Sequence, residues 1–174
     1  ILPLLDEDQN KAIDVGEEII HSFNEKYEKK FHEMMKKKLG LITDEADDVI
    51  LIQELLDTME KNNLDYTNTF RDLMNDKINN ETLKNFHAKW KIRIDKQNRS
   101  HEEVLTLMRN VNPVVIPRNH KVEESLKEAH KGNLVSLNNL LNALKDPYTE
   151  RSDLTLYQQP APETDKKYKT FCGT

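Results

Sequence analysis

Apolar residues recur every three or four positions along almost the whole of this chain. The pattern breaks conspicuously once, at Asn110–His120, where the sequence is Asn-Val-Asn-Pro-Val-Val-Ile-Pro-Arg-Asn-His. Three-to-four spacing places apolar side chains on one face of a helix and obliges those faces to pack together. Inside the break, Pro113 and Pro117 each remove a backbone donor and push the preceding residue, Asn112 or Ile116, out of helical geometry. Val114, Val115 and Ile116 between them form a β-branched run suited to an extended segment. The expected fold is all-α: a bundle-like assembly of about seven helices, with Asn110–His120 as the hinge before a final helical pair, and an extended C-terminal tail.

The expected helices follow from stripes and caps. Asp6, Glu7 and Asp8 open a helix where its dipole favours acids. Its stripe runs through Ala12, Val15, Ile19, Ile20, Phe23, Tyr27, Phe31, Met34, Met35 and Leu39 to a capping Gly40, with a break expected near Ser22–Asn24. Residues 44–62 carry a second stripe of Ala46, Val49, Ile50, Leu55, Leu56 and Met59. Asp65 is placed to cap a short helix bearing Tyr66, Phe70 and Leu73, and Asn79-Asn80 introduces Leu83, Phe86, Trp90 and Ile94. Ser100-His101-Glu102-Glu103 fits a capping box ahead of Val104, Leu105, Leu107 and Met108. Beyond the prolines, Val122, Leu126 and Ala129 mark a helix stopped by Gly132. Asn133 caps the last one, with Leu134, Leu137, Leu140, Leu141 and Leu144, completing an αα-hairpin. After Pro147 the pattern fades into an expected extended tail through Tyr157-Gln158-Gln159-Pro160-Ala161-Pro162.

At 174 residues the chain suits one domain, or a domain with a tail, and can bury a sizeable core. A third of the residues are charged and only 6% are aromatic, which argues against a β-sandwich. The net charge of -5 is uneven: residues 1–80 hold 19 acids and 10 bases, the remainder 12 and 16. Such asymmetry could suit docking against a partner surface, but solvated helix faces are the favoured explanation. A single cysteine, Cys172, forbids a disulfide within the chain and fits a reducing, cytoplasmic setting. No apolar run approaches a membrane span and no basic-then-apolar signal opens the chain, so no membrane partner is expected. Because the chain opens on Ile1 rather than Met, it is expected to be a fragment or a processed product.

Chemical motifs are sparse. Glu18 and His21 have the Glu-x-x-His spacing of di-iron bundles, but no second copy exists, so a surface pair is the expectation. His32-Glu33 begins like a zinc-protease helix, and Lys36 stands where its second histidine is needed. The four glycines are scattered, which excludes Gly-rich phosphate loops within the chain. Lys84, Lys89, Lys91, Arg93, Lys96 and Arg99 make the Trp90 helix basic. A nucleic-acid contact would need several of them on one face, and a solvated helix is favoured instead. Trp90 and the Met34, Met35 and Met59 side chains read as core before they read as binding groups. Arg118-Asn119-His120 is the better candidate, because an arginine there could clamp a carboxylate or phosphate. The structural alternative is that Asn119 caps the next helix while Arg118 holds a neighbouring acid or carbonyl. Cys172, on a tail, reads as an incidental thiol.

Several stretches resemble, in order and spacing, the C-terminal region of the selenoprotein O family. They are Lys36-Lys37-Lys38-Leu39-Gly40-Leu41, Asp65-Tyr66-Thr67-Asn68-Thr69-Phe70-Arg71, Met108-Arg109-Asn110-Val111-Asn112-Pro113 and Ile116-Pro117-Arg118-Asn119-His120. Trp90, Asp146-Pro147-Tyr148 and Tyr168-Lys169-Thr170-Phe171-Cys172 resemble the family as well. The resemblance implies a pseudokinase-like parent that transfers AMP from ATP, with Mg2+ or Mn2+, to protein hydroxyl groups. It implies that the catalytic kinase-like domain lies N-terminal to this region and is its partner, and that the parent's protein substrates are partners too.

None of the family's nucleotide- or metal-binding motifs has a matching position here, so no catalytic, cofactor or metal residue is expected in this chain. Residues 1–145 then look like the family's C-terminal helical domain, in a supporting or regulatory role, and 146–174 like its tail. Cys172 matches the family's terminal cysteine and is a redox candidate, implying a tether to the kinase-like domain. The alternatives are a stand-alone helical interaction module and, third, a nucleic-acid binder.

Overall fold

The computed structural model describes residues 2–162, and among these the fold is all-α, with eight helices and no strands. They are α1 (Gln9–Lys38), α2 (Asp48–Lys61), α3 (Tyr66–Met74), α4 (Lys84–Asp95), α5 (His101–Arg109), α6 (Asn119–His130), α7 (Val135–Leu144) and α8 (Thr155–Gln158). The C-terminal part of α1 packs with α2 and α5, α4 packs with α2 and α5, and α3 packs with α5. Their shared core is built on Trp90, Phe70, Phe86, Met35, Leu39, Leu55 and Met108, all essentially inaccessible. Trp90 donates its indole N–H to the Leu39 carbonyl at 2.8 Å, so the largest core side chain also satisfies the C-terminus of α1.

Side chains set the ends of these helices. Asp8 caps α1 by accepting from the backbone N–H groups of Asn10 and Lys11. Gly40 ends α1 at φ +67°, with its N–H on Lys37 O and that of Leu41 on Lys36 O, a Schellman arrangement. A Cβ at residue 40 would lie 2.5 Å from Val104 Cγ1, so glycine is required for close packing as well as for conformation. Asp65 accepts from Asn68 N at the start of α3, and Ser100 and Glu103 form the expected capping box of α5. Gly132, at φ +86°, turns α6 into α7, which pack as the expected hairpin.

Four expectations change. The break near Ser22–Asn24 is absent: Ser22 Oγ donates back to Ile19 O, and α1 continues unbroken. α2 starts at Asp48 rather than at residue 44, and its core face is Leu51, Ile52, Leu55 and Met59, while Val49 and Ile50 are exposed. Four consecutive apolar residues at 49–52 leave the buried face open to two phases, and packing against α4 selects one. Asn119 does not cap α6. It is the first helical residue, Arg118 occupies the cap position, and no side chain bonds there. Finally, the stretch expected to be extended holds a 3-10 turn at Ser152–Leu154 followed by α8. Leu154 is fully buried in the core and Tyr157 packs against it.

Residues 110–118 are non-helical between α5 and α6, as the two prolines require, while Asn119 and His120 already belong to α6. Val114 and Val115 are buried, and Val114 N donates to Pro147 O at 2.7 Å, stitching the hinge to the segment that follows the hairpin.

Candidate functional site

The hinge delivers Arg118 into a half-buried pocket facing the start of α3. Its guanidinium grips Asp65 with two hydrogen bonds, Nη1 to Oδ2 at 2.6 Å and Nη2 to Oδ1 at 2.9 Å. Asp65 therefore caps α3 and anchors the hinge at once. Burial pushes the Asp65 carboxyl up, but Arg118 and the Asn68 backbone N–H outweigh it and hold the group below the usual carboxylate range. Asn68, one turn into α3, donates its side-chain amide to Gln158 O at 3.0 Å, so α8 joins the same cluster. Arg71 on α3 pairs with Glu150, which also accepts from Asn75 and Gln158. Arg118 Nε and Asn68 Oδ1 are buried without a partner, and the remaining bonds form a clasp joining α3, the hinge and the segment at 150–158.

A second junction lies at the other end of the hinge. Asn112 is fully buried and donates to Lys38 O at 2.8 Å and Met108 O at 3.0 Å, while accepting from Lys38 Nζ at 2.8 Å. Lys38 Nζ also sits 4.6 Å from the Phe70 ring centroid and 5.3 Å from that of Tyr66. Burial lowers its pKa from the ordinary lysine value.

Arg118, Asn119 and His120 do not converge on one point: Arg118 faces inward, Asn119 is exposed, and His120 is half-buried along an open groove of α6 with Lys121, Glu124, Lys127 and His130. Cys172 lies outside the described residues. Glu18 and His21 are both exposed on α1. Among the described residues no group of three His, Cys, Asp or Glu side chains is placed to hold a metal ion. Most of the basic row on α4 is occupied locally. Lys84 pairs with Glu81, Lys89 with Glu54, Lys91 with Asp76, Arg93 with Asp48, and Arg99 with Glu103.

One cluster had no sequence signal. Asp76, at φ +50°, hydrogen-bonds His87 Nε2 at 2.9 Å and accepts from Lys91 Nζ at 3.1 Å, and His101 Nε2 lies 3.4 Å away without a hydrogen bond. His87 stacks on Trp90 and His101 meets the same ring edge-on. Burial, then Lys91, lowers the His87 pKa, against the pull of Asp76. The three partners come from two helices, and only the crossing of α4 and α5 brings them together.

The sequence that builds these helices matches a known family. The family model described as "Protein adenylyltransferase SelO" aligns with residues 5–145, which is most of the chain. The chain belongs to the SelO family. SelO-family relatives named protein nucleotidyltransferase YdiU, from Clostridium perfringens strain SM101 and Bacillus cereus strain ATCC 14579, are 43% and 42% identical over 180 and 181 residues. A relative of the same name from Pelagibacter ubique is 42% identical. Each alignment covers all of this chain and 37% of the relative, so the chain spans little more than a third of the length of the family members it matches. No helix among the described residues is long and apolar enough to cross a membrane.

Proposed function

We propose that this chain is the C-terminal helical part of a protein adenylyltransferase. On this reading a kinase-like domain N-terminal to it moves AMP from ATP, with Mg2+ or Mn2+, to hydroxyl groups of cytoplasmic proteins. The single observation that carries the reading is the full-length match to relatives named nucleotidyltransferases, of which the chain spans only 37%. Among the described residues no three His, Cys, Asp or Glu side chains gather at one point, and the acids Asp48 and Asp65 pair with Arg93 and Arg118. The role of the described residues is to support: the Arg118–Asp65 clasp and the Asn112–Lys38 junction set the hinge and final hairpin in fixed register against α1 and α3. The partners on this reading are the kinase-like domain and the parent's protein substrates, with neither nucleic acid nor membrane. Cys172, the redox candidate, would tether the tail to the kinase-like domain. Non-reducing mass spectrometry of the oxidised parent tests this, and absence of a Cys172 disulfide removes the tether.

Calorimetric titration with ATP gives the main test. The polypeptide encoded by the complete reading frame should bind ATP and label proteins with AMP, whereas the 174-residue chain should do neither. Clear micromolar ATP binding by the 174-residue chain alone would overturn the reading. The second reading is a stand-alone helical interaction module, for which the uncovered apolar face of α1 would be the contact surface. A start codon immediately upstream of Ile1 would support it, and a kinase-like region there would support the first.

A further inference from the structure

α1 reaches beyond the helices it joins. Its last turns bury Met35 and Leu39, and Phe31 packs against the same core. One turn earlier the same face carries Tyr27, Phe23 and Ile20, which are 59%, 60% and 69% exposed, and Ile19 beside them is exposed as well. The rings of Phe23, Tyr27 and Phe31 form a ladder, with centroids 6.1 and 6.2 Å apart. Near Gly16 the face meets Leu2 and Leu5 from the N-terminal turn. From Ile13 to Met34 this apolar face is about 30 Å long. Scattered single apolar residues need no explanation, but a continuous helical stripe marks a contact surface. A projecting helix also draws most of its stability from packing that face.

We propose that the Ile13–Met34 face of α1 is the seat of the remaining part of the same polypeptide, the part that carries catalysis in the parent. This rests on the reading of the chain as one portion of a longer transferase. Nearly two thirds of each relative's length lies outside the matched region, and the stripe lies inside the segment that defines the family. Effective concentration favours this occupant over a second copy: a covalently joined segment is presented to the face at up to about millimolar effective concentration, which a separate chain does not reach. The stripe is also continuous with the core through Phe31 and Met35, so a covering segment would extend that core along α1.

The test places photo-crosslinking benzoylphenylalanine at Phe23 in the polypeptide from the complete reading frame, with the same group at Glu25, on the polar face, as control. The expected result is a crosslink from residue 23 to a peptide outside residues 1–174, at unchanged monomer mass. A doubled mass shows a second copy on the face and overturns the proposal. So does crosslinking no greater than that of the control, or crosslinking confined to residues 2–162. As a second measurement, Ile20→Glu should lower the melting temperature of the complete polypeptide by several degrees and leave that of the 174-residue chain unchanged. Equal shifts in both, or in neither, also overturn it. AMP transfer by the unmodified polypeptide is scored separately: an intramolecular crosslink without transfer retains the docking face and removes the transferase reading, and transfer without the crosslink does the reverse.

Discussion

The two halves of α1 carry the same apolar spacing and meet opposite fates. In the C-terminal half, Met35 and the adjoining Leu39 are buried in one core with Trp90, Val104 and Met108; in the N-terminal half, Ile19, Ile20 and Phe23 stand in solvent. Periodicity therefore states which face of a helix is built to be covered and is silent on what covers it. Both halves are helical because the local signals agree: an Asp8 cap, a stripe without Pro, and a Gly40 stop. Only the second half contributes to the described core, because α2 and α5 reach no further along α1.

This contrast can be broken most forcefully at Leu39. Leu39→Ala removes a fully buried side chain beside Trp90, and should destabilise the chain by about 2–5 kcal/mol in chemical denaturation. Asn112→Ala comes next, since it strips the side-chain partner from the Lys38 ammonium and the Lys38 carbonyl, while Met108 O keeps the backbone N–H groups of Val111 and Asn112. A loss of about 1–3 kcal/mol is expected, with faster amide exchange at the C-terminus of α1. Arg118→Ala should cost roughly 1–2 kcal/mol, less than a deeply buried pair, because Asp65 is partly exposed and keeps its bond from Asn68 N. Its loosening should appear in α6 and α7 rather than in α1. An Arg118→Ala protein that keeps its stability while the complete polypeptide loses AMP transfer would give this arginine a role in function instead.

Acidification is a gentler probe. Burial raises Asp48, Asp65, Asp76 and Glu150, but their cationic and hydrogen-bonding partners prevail and hold all four below their ordinary values of 3.8 or 4.5. Protons then bind the unfolded state more readily, so the stability these groups supply is complete above those values and is lost as pH falls through the folded ones. His87, lowered from 6.5 chiefly by burial, adds a smaller loss that begins as pH drops below 6.5. A denaturation series against pH should show a shallow decline followed by a steep one, and His87→Gln should remove only the first. The smallest effect belongs to the exposed half of α1. Phe23→Ala in the 174-residue chain should change stability by no more than about 0.5 kcal/mol, since the side chain is mostly exposed and stacks on Tyr27. A large loss would mean the half is already packed.

Much of the fold was legible from the sequence because caps and stops act within a few residues. Asp65, Ser100 with Glu103, Gly40 and Gly132 work where the local pattern places them, and Pro113 and Pro117 keep the hinge out of helix. The clasp was half legible: an arginine seeking an acid could be read at residue 118, but Asp65 as that acid could not, since 53 positions separate them. The Asp76, His87 and His101 cluster left no trace, because its members sit on different elements and share no spacing.

The sequence alone determined an all-α chain, the order of its helices, the non-helical hinge and the family. These depend on short-range periodicity, capping chemistry and an ordered set of motifs. Tertiary structure decided which of two faces α2 buries, that Leu154 belongs to the core rather than to a free tail, and which acid each buried cation meets. The physical reason is common to all three. Neighbouring residues specify what can be buried, but burial is a relation between segments distant in sequence, and only their packing selects the partner.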